Sequence, residues 1–315
     1  MAESNLEDKL LKSTSFASLR TEQRACNILK NLKWKAIHSA FYEDSVTNKI
    51  REIDVAAKQF WSFGNKPEAL SISLWLLLEC KTLKGYHLLF SPIAVPQLNF
   101  QSSSLCSWIG YTEKNETEQI AKNLSEVGMS KMDIKKCFLA FDDIAYPDGI
   151  VKITKVLVKP YPTDVCASSF AETNIGNEKD LDNSVLWRAF QSLSSVISSL
   201  RQRAFNNVIA DLRLDASVAL RGEYDVVEYI TSTYKLRSSH VDIYHPVIVV
   251  DAELWSTEEE SVKRLKWCRF IQHSPSGSKE WWCDVVNSIY FAAYAEDLTD
   301  FYNNALHNIG INRTD

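Results

Sequence analysis

Glycine and proline are sparse in this chain, nine and eight in 315 residues, and no segment forms a glycine-rich phosphate loop. Neither a Walker nor a dinucleotide fingerprint can be drawn, so nucleotide hydrolysis is not encoded; if ATP is needed, a partner would supply it. No apolar run approaches the roughly 18 residues of a membrane span. Glu3, Glu7 and Asp8 interrupt the first stretch, so no signal peptide is read there. A soluble, cytoplasmic protein without membrane contact is expected. The seven cysteines, at 26, 80, 106, 137, 166, 268 and 283, contain no Cys-x-x-Cys pair. That odd, scattered set suits reduced, mostly buried thiols and not a disulfide framework. The six histidines lack ligand spacing, which argues against zinc. An excess of basic charge is missing too, the net charge being −5. Contact with a polyphosphate backbone would therefore need a local basic patch.

What is present is a folded composition, 45% hydrophobic and 11% aromatic, in a chain long enough to bury a substantial core. One short apolar run, Leu74-Trp75-Leu76-Leu77-Leu78, ends in Glu79-Cys80-Lys81, and the preceding strand-like run, Arg51 to Ala56, contains Asp54. Acid-x-Lys also occurs at Glu7-Asp8-Lys9 in a polar stretch and at Asp133-Ile134-Lys135 in a helix-like one. Only the copy at 79–81 closes a candidate central strand, where alternation puts Glu79 and Lys81 on one face and Cys80 on the other. Two carboxylates can hold a divalent cation against a phosphate, and an adjacent ammonium can orient water and offset developing charge. The competing reading is ordinary ion pairing where a strand emerges into solvent.

Upstream, Ala25, Ile28, Leu29 and Leu32 mark one face of a helix over 21–32, with Glu22 one turn earlier on nearly the same face. Lys35 to Tyr42 reads as a first strand, 43–49 as a polar turn and 50–57 as the return strand. The order is helix with an acid, strand, hairpin, strand with Asp54, then strand with Glu79-x-Lys81.

Glu22 with Ala25, Leu29 and Trp34, then Arg51-Glu52-Ile53-Asp54-Val55, then Leu76-Leu77-Leu78-Glu79-Cys80-Lys81 resembles the PD-(D/E)XK superfamily of restriction-endonuclease-like nucleases, closest to its Mrr-like and resolvase-like bacterial members. Ile53 stands where the family name has proline, and these motifs span about residues 18 to 92. The resemblance implies an α/β fold with a mixed central sheet flanked by helices. It implies metal ligation by Asp54 and Glu79, catalysis by Lys81 and an accessory role for Glu22. Mg²⁺ is the implied cofactor, with Mn²⁺ able to substitute, and DNA the implied substrate, with RNA left open. Bacterial defence or genome maintenance is the implied setting, and a partner protein or a homodimer is compatible with it. The alternative is a nuclease-fold module without catalysis of its own, binding nucleic acid or acting as a partner-activated component of a defence complex.

The chain divides into a motif-bearing half at 1–96, an insertion or accessory segment of helices and a strand at 97–183, and a completing part at 184–315. Helices are expected over 117–127 and 131–140 and a strand over 149–159, with a loop over 97–115 and a surface connection over 163–183. The longest helical pattern covers 184–212, where Leu186, Phe190, Leu193, Ile197 and Leu200 form a core-type stripe. His245 to Val250 reads as a central strand, Trp281 to Val286 as another, and 287–306 as the last helix. Asp284 is expected to cap or orient that helix. Of three basic clusters, Lys30, Lys33 and Lys35 are the preferred phosphate contacts because they adjoin the Glu22 helix. Those at Lys131, Lys135 and Lys136 and at Lys263, Arg264, Lys266 and Arg269 read as solvated faces. A nucleophilic pair of Cys80 with His87 is weighed against burial of Cys80 in the core.

Overall fold

A computed structural model describes residues 2–62, 71–83, 85–94, 106–107, 114–142, 165–174, 184–222, 224–273, 280–308 and 312–313. It is mixed α/β. Among the described residues ten strands follow one path through a mixed sheet, in the order β1-β2-β3-β7-β11-β10-β6-β4-β8-β9. The motif-bearing strands are β1 (Lys35–Glu43), β2 (Ile50–Ser62) and β3 (Ser71–Lys81). Beyond them lie β4 (His87–Ile93), β6 (Cys166–Thr173), β7 (His240–Val250), β8 (Glu253–Thr257), β9 (Val262–Leu265), β10 (Trp267–His273) and β11 (Glu280–Asn287). Two short strands lie off the path: β5 (Cys106–Ser107) pairs with β7, and β12 (Asn312–Arg313) with β2.

β1, β2 and β3 form an antiparallel meander, and β3 then pairs in parallel with β7 from Ser71 opposite His240 to Lys81 opposite Val250. That parallel pairing makes β3 a central strand, which is why its sequence is almost continuously apolar. Its inner residues Leu74, Leu76, Leu77 and Leu78 are buried.

Helices cover both faces. α1 (Ala2–Leu11) leads into α2 (Thr14–Asn31), which starts where Ser13 Oγ accepts the Phe16 N–H at 3.1 Å. α2 buries Ala25, Cys26 and Leu29 against one sheet face beside the last helix, α7 (Phe291–His307). Trp34, just past α2, donates its indole N–H to Thr299 Oγ1 of α7 at 3.0 Å, tying the two together. On the opposite face lies α5 (Val185–Arg221), a 37-residue helix whose first half packs Leu186, Phe190, Leu193 and Ile197 on the sheet, as the stripe predicts. Its second half leaves the sheet and joins α3 (Lys114–Glu126), α4 (Lys131–Asp142) and α6 (Val226–Ser238) in a separate helical core.

Several expectations change. The stretch 163–183 is not only a surface connection, because β6 lies within it, inserted between β10 and β4. Among its described residues the segment 97–183 therefore contributes β6 and the short β5 to the main sheet as well as two helices. Glu172 of β6 is buried and accepts the Ser184 hydroxyl at 2.6 Å and the Leu186 N–H at 2.7 Å, so a β6 carboxylate anchors the start of α5. The strand expected over 149–159 lies outside the described residues, as does most of the loop expected over 97–115. No helix among the described residues is long and apolar enough to cross a membrane.

Candidate active site

β1 and β2 pair residue for residue on either side of one step, His38 with Val55 and Ala40 with Ile53, while Ser39 and Asp54 between them stand outside the ladder. Ser39 there adopts a left-handed conformation with φ of 54°. The two strands turn over at this step: Val55 and Ala57 face the α2 side, whereas Ala40 and Ile53 face the α5 side. The ladder between β2 and β3 also ends here, its last pair being Val55 with Leu78. Asp54 is the first β2 residue beyond it. Its carboxylate takes over from the ladder, Oδ2 accepting the Cys80 N–H at 2.6 Å.

Glu79 and Lys81 alternate with Cys80 as the strand period requires. The Lys81 ammonium bridges the two acids, 3.2 Å from Asp54 Oδ2 and in contact with Glu79 Oε2. The other Glu79 oxygen, Oε1, accepts the hydroxyl proton of Ser192 from α5 at 2.7 Å. Side-chain exposure is graded, 5% for Glu79, 19% for Asp54 and 26% for Lys81, so Glu79 forms the floor and the other two reach toward solvent. Burial pushes the Glu79 carboxyl above its ordinary value, with Lys81 pulling the other way. Burial works against the Lys81 ammonium, but Glu79 and Asp54 outweigh it and hold its pKa above the ordinary lysine value. Cys80 faces the α2 core, is 1% exposed, and burial raises its thiol pKa well above the usual range. His87 pairs with Glu253 at 3.4 Å, so the structure does not form the Cys80–His87 pair.

Glu22 points inward, as its helical position predicts, and is 8% exposed. Its carboxylate accepts from Ser18 at 3.1 Å and lies 3.1 Å from His38 Nε2 of β1. It makes no hydrogen bond or ion pair with Asp54, Glu79 or Lys81. The three lysines are farther still. Lys30, Lys33 and Lys35 are exposed. Lys35 lies opposite Lys58, and Lys58 is four residues along β2 from Asp54, about 13 Å of strand. Adjacency to α2 in sequence put them near the motif; the direction of α2 puts them at the other end of β1.

Among the described residues no group of three or more His, Cys, Asp or Glu side chains is arranged to hold a metal ion. Asp54 and Glu79 nevertheless fit a hard divalent cation of the magnesium type, which takes one or two protein carboxylates and completes its shell with water and phosphate oxygen. Two carboxylates and one ammonium leave this cluster with one net negative charge, the sign that attracts such an ion.

A second polar cluster lies wholly inside. Arg269 of β10 donates from Nε to Asp284 Oδ1 at 2.7 Å and from its terminal nitrogen to Oδ2 at 2.9 Å. Tyr294 of α7 donates to the same Oδ2 at 2.7 Å, and His245 of β7 lies 2.9 Å from it. The other His245 nitrogen meets Tyr302 of α7 at 3.0 Å. One expectation is corrected, and of the two roles expected for Asp284 the structure has the orienting one. Arg269 is not on a solvated basic face, because β10 is an inner strand and the side chain is buried against Trp282 and Asp284. Asp284 does not cap α7, whose N-cap position is Tyr290 without a side-chain bond; it holds the helix through Tyr294.

Burial favours the uncharged Asp284 carboxyl, but the Arg269 charge prevails and holds its pKa well below the ordinary value. Burial lowers the His245 pKa below 6.5, against the pull of Asp284, so the ring is neutral in the fold. Below pH about 6.5 the unfolded chain binds a proton at this position that the folded one refuses, and stability falls with pH by up to about 1.4 kcal/mol per unit. Urea midpoints between pH 7 and 5 should therefore drop more steeply in the wild type than in His245→Gln. Equal slopes would show that His245 does not titrate differently on folding.

Comparison of the chain with protein-family models, with curated proteins and with solved structures finds no match. The fold and the cluster define a mixed α/β protein with an acid, acid, lysine cluster where the ladder between two paired strands ends.

Proposed function

We propose that this chain is a metal-dependent nuclease of the restriction-endonuclease-like fold that hydrolyses phosphodiester bonds of DNA. The observation that carries the reading is the convergence of Asp54 and Glu79 on one ammonium, Lys81, beside the strand separation at Asp54. Asp54 and Glu79 are the groups that would hold Mg²⁺ or Mn²⁺, which when bound supplies Lewis-acid charge and a more acidic water. Asp54 is fixed for this task by the Cys80 N–H, and Glu79 by the Ser192 hydroxyl. Lys81, partly open to solvent, is placed to hydrogen-bond an attacking water and to offset charge on the phosphate as the transition state forms. Glu22 is held by Ser18 and His38 on the α2 face of the sheet, opposite the face of Glu79 and Lys81, so the proposed chemistry is assigned to Asp54, Glu79 and Lys81 without it.

Cleavage of supercoiled, linear and single-stranded DNA with Mg²⁺ or Mn²⁺ tests this. Wild type should cut, and Asp54→Ala and Glu79→Ala, after their fold is verified, should lose at least about a hundredfold in rate, the scale of losing one preorganised electrostatic group. Folded wild type that leaves every substrate intact with either metal would sink the catalytic reading in favour of a binding module.

A further inference from the structure

The Asp54, Glu79 and Lys81 cluster is supported from α5 by one residue that no motif contains, Ser192. Ser192, Ser195 and Ser199 recur at spacings of three and four, so they line one face of a helix whose neighbouring stripe is apolar. Each is aligned with the motif-bearing half of the sheet. Ser192 Oγ donates to Glu79 Oε1 at 2.7 Å. Ser199 Oγ accepts the Ser45 N–H at 3.0 Å at the tip of the β1–β2 hairpin and donates to Ser45 Oγ at 3.3 Å. Between them, the Tyr42 hydroxyl lies beside Ser192 and Ser195. It is buried.

From this geometry we infer that Ser192 is a positioning residue for Glu79, a role that rests on the nuclease reading and extends it to α5. A glutamate on the floor of the site has two oxygens to orient, and an unheld carboxylate can rotate about its last bond. The Ser192 hydroxyl fixes Oε1 and thereby turns Oε2 toward Lys81 and Asp54. Hydroxyls that hold a metal-ligating carboxylate affect ion affinity through it, with losses of about 10- to 100-fold when they are removed. The serines themselves are indifferent helix formers, so this face is not explained by helix propensity.

The test is calorimetric binding of Mn²⁺ to the full chain, with DNA cleavage measured in parallel. Ser192→Ala should bind Mn²⁺ about 10-fold more weakly or worse and cut correspondingly more slowly at fixed Mn²⁺. Ser192→Thr, which keeps the hydroxyl, should restore most of the affinity, and Ser195→Ala should stay within about twofold of wild type. Alanine is the better helix former, so loss of fold in Ser192→Ala is not expected. If Ser192→Ala binds and cuts as wild type does, whatever its melting temperature, the positioning role is wrong while the nuclease reading stands. If wild type itself binds no Mn²⁺, the nuclease reading fails and the role of Ser192 falls with it.

Discussion

Lys81→Met should bind Mg²⁺ or Mn²⁺ more tightly than wild type and yet lose DNA cleavage. The Lys81 ammonium contacts both Asp54 and Glu79, the same carboxylates that a divalent ion would use. An arriving ion must therefore share or displace a positive charge already in place. Methionine keeps the length and packing of the side chain and removes that charge, leaving two neighbouring carboxylates whose repulsion a cation relieves. A gain of about tenfold in affinity, or about 1.4 kcal/mol, is expected by calorimetry. Cleavage should fall by about 10² or more, because the proposed nuclease would lose the ammonium placed to offset phosphate charge. Without metal the variant should melt below wild type, since Glu79 is buried and has lost its cation, and saturating Mg²⁺ should recover more of the loss than it adds to wild type. Metal binding that is unchanged or weaker in Lys81→Met would show that the ammonium and the ion do not compete for these acids.

The largest stability effects are expected on the other face of the sheet, at Asp284, two strands over from Glu79, and at its partner Arg269. Both side chains are at most 1% exposed, and the guanidinium meets the carboxylate through two nitrogens. Removing one partner strands the other charge in the interior, which costs about 3–5 kcal/mol. Asp284→Leu leaves Arg269 unpaired and also removes the acceptor for Tyr294, so α7 should loosen from the sheet. Arg269→Met leaves Asp284 with His245 and Tyr294 alone. The double variant Arg269→Met/Asp284→Leu should be much less destabilised than the sum of the single losses, because it buries no lone charge. Chemical denaturation of the four proteins measures this. Single-variant losses below about 1 kcal/mol, or strict additivity, would contradict the buried pair as the anchor of α7.

The parts that the sequence made legible are those set by local rules. Alternation along β3 assigns Glu79 and Lys81 to one face and Cys80 to the core, and this holds because a short apolar strand has a strict period of two. The antiparallel pairing of β2 with β3 brings Asp54 to the end of β3 across only 27 residues, and in the preceding β1–β2 hairpin turn chemistry is visible at Asp44, whose carboxylate accepts the Val46 and Thr47 N–H groups. The stripe on α5 was readable because a helix over a sheet needs one continuous apolar face.

What only the tertiary structure decided depends on contacts between distant segments. Ser192 reaches Glu79 across 113 positions, and nothing in a run of serines states which carboxylate it will meet, although their spacing of three and four was a signal. Arg269 looked solvated because it follows Lys263, Arg264 and Lys266, and only the placement of β10 between β11 and β6 buries it. β6 was concealed because its serines and threonine read as surface. Lys30, Lys33 and Lys35 adjoin the motif helix in sequence but lie at its far end, since a helix carries its two ends well apart. Local periodicity thus determined which residues could meet at the end of β3. The packing of α5, α7 and the distant strands decided what holds them there, because side-chain pattern specifies a face and not the partner that covers it.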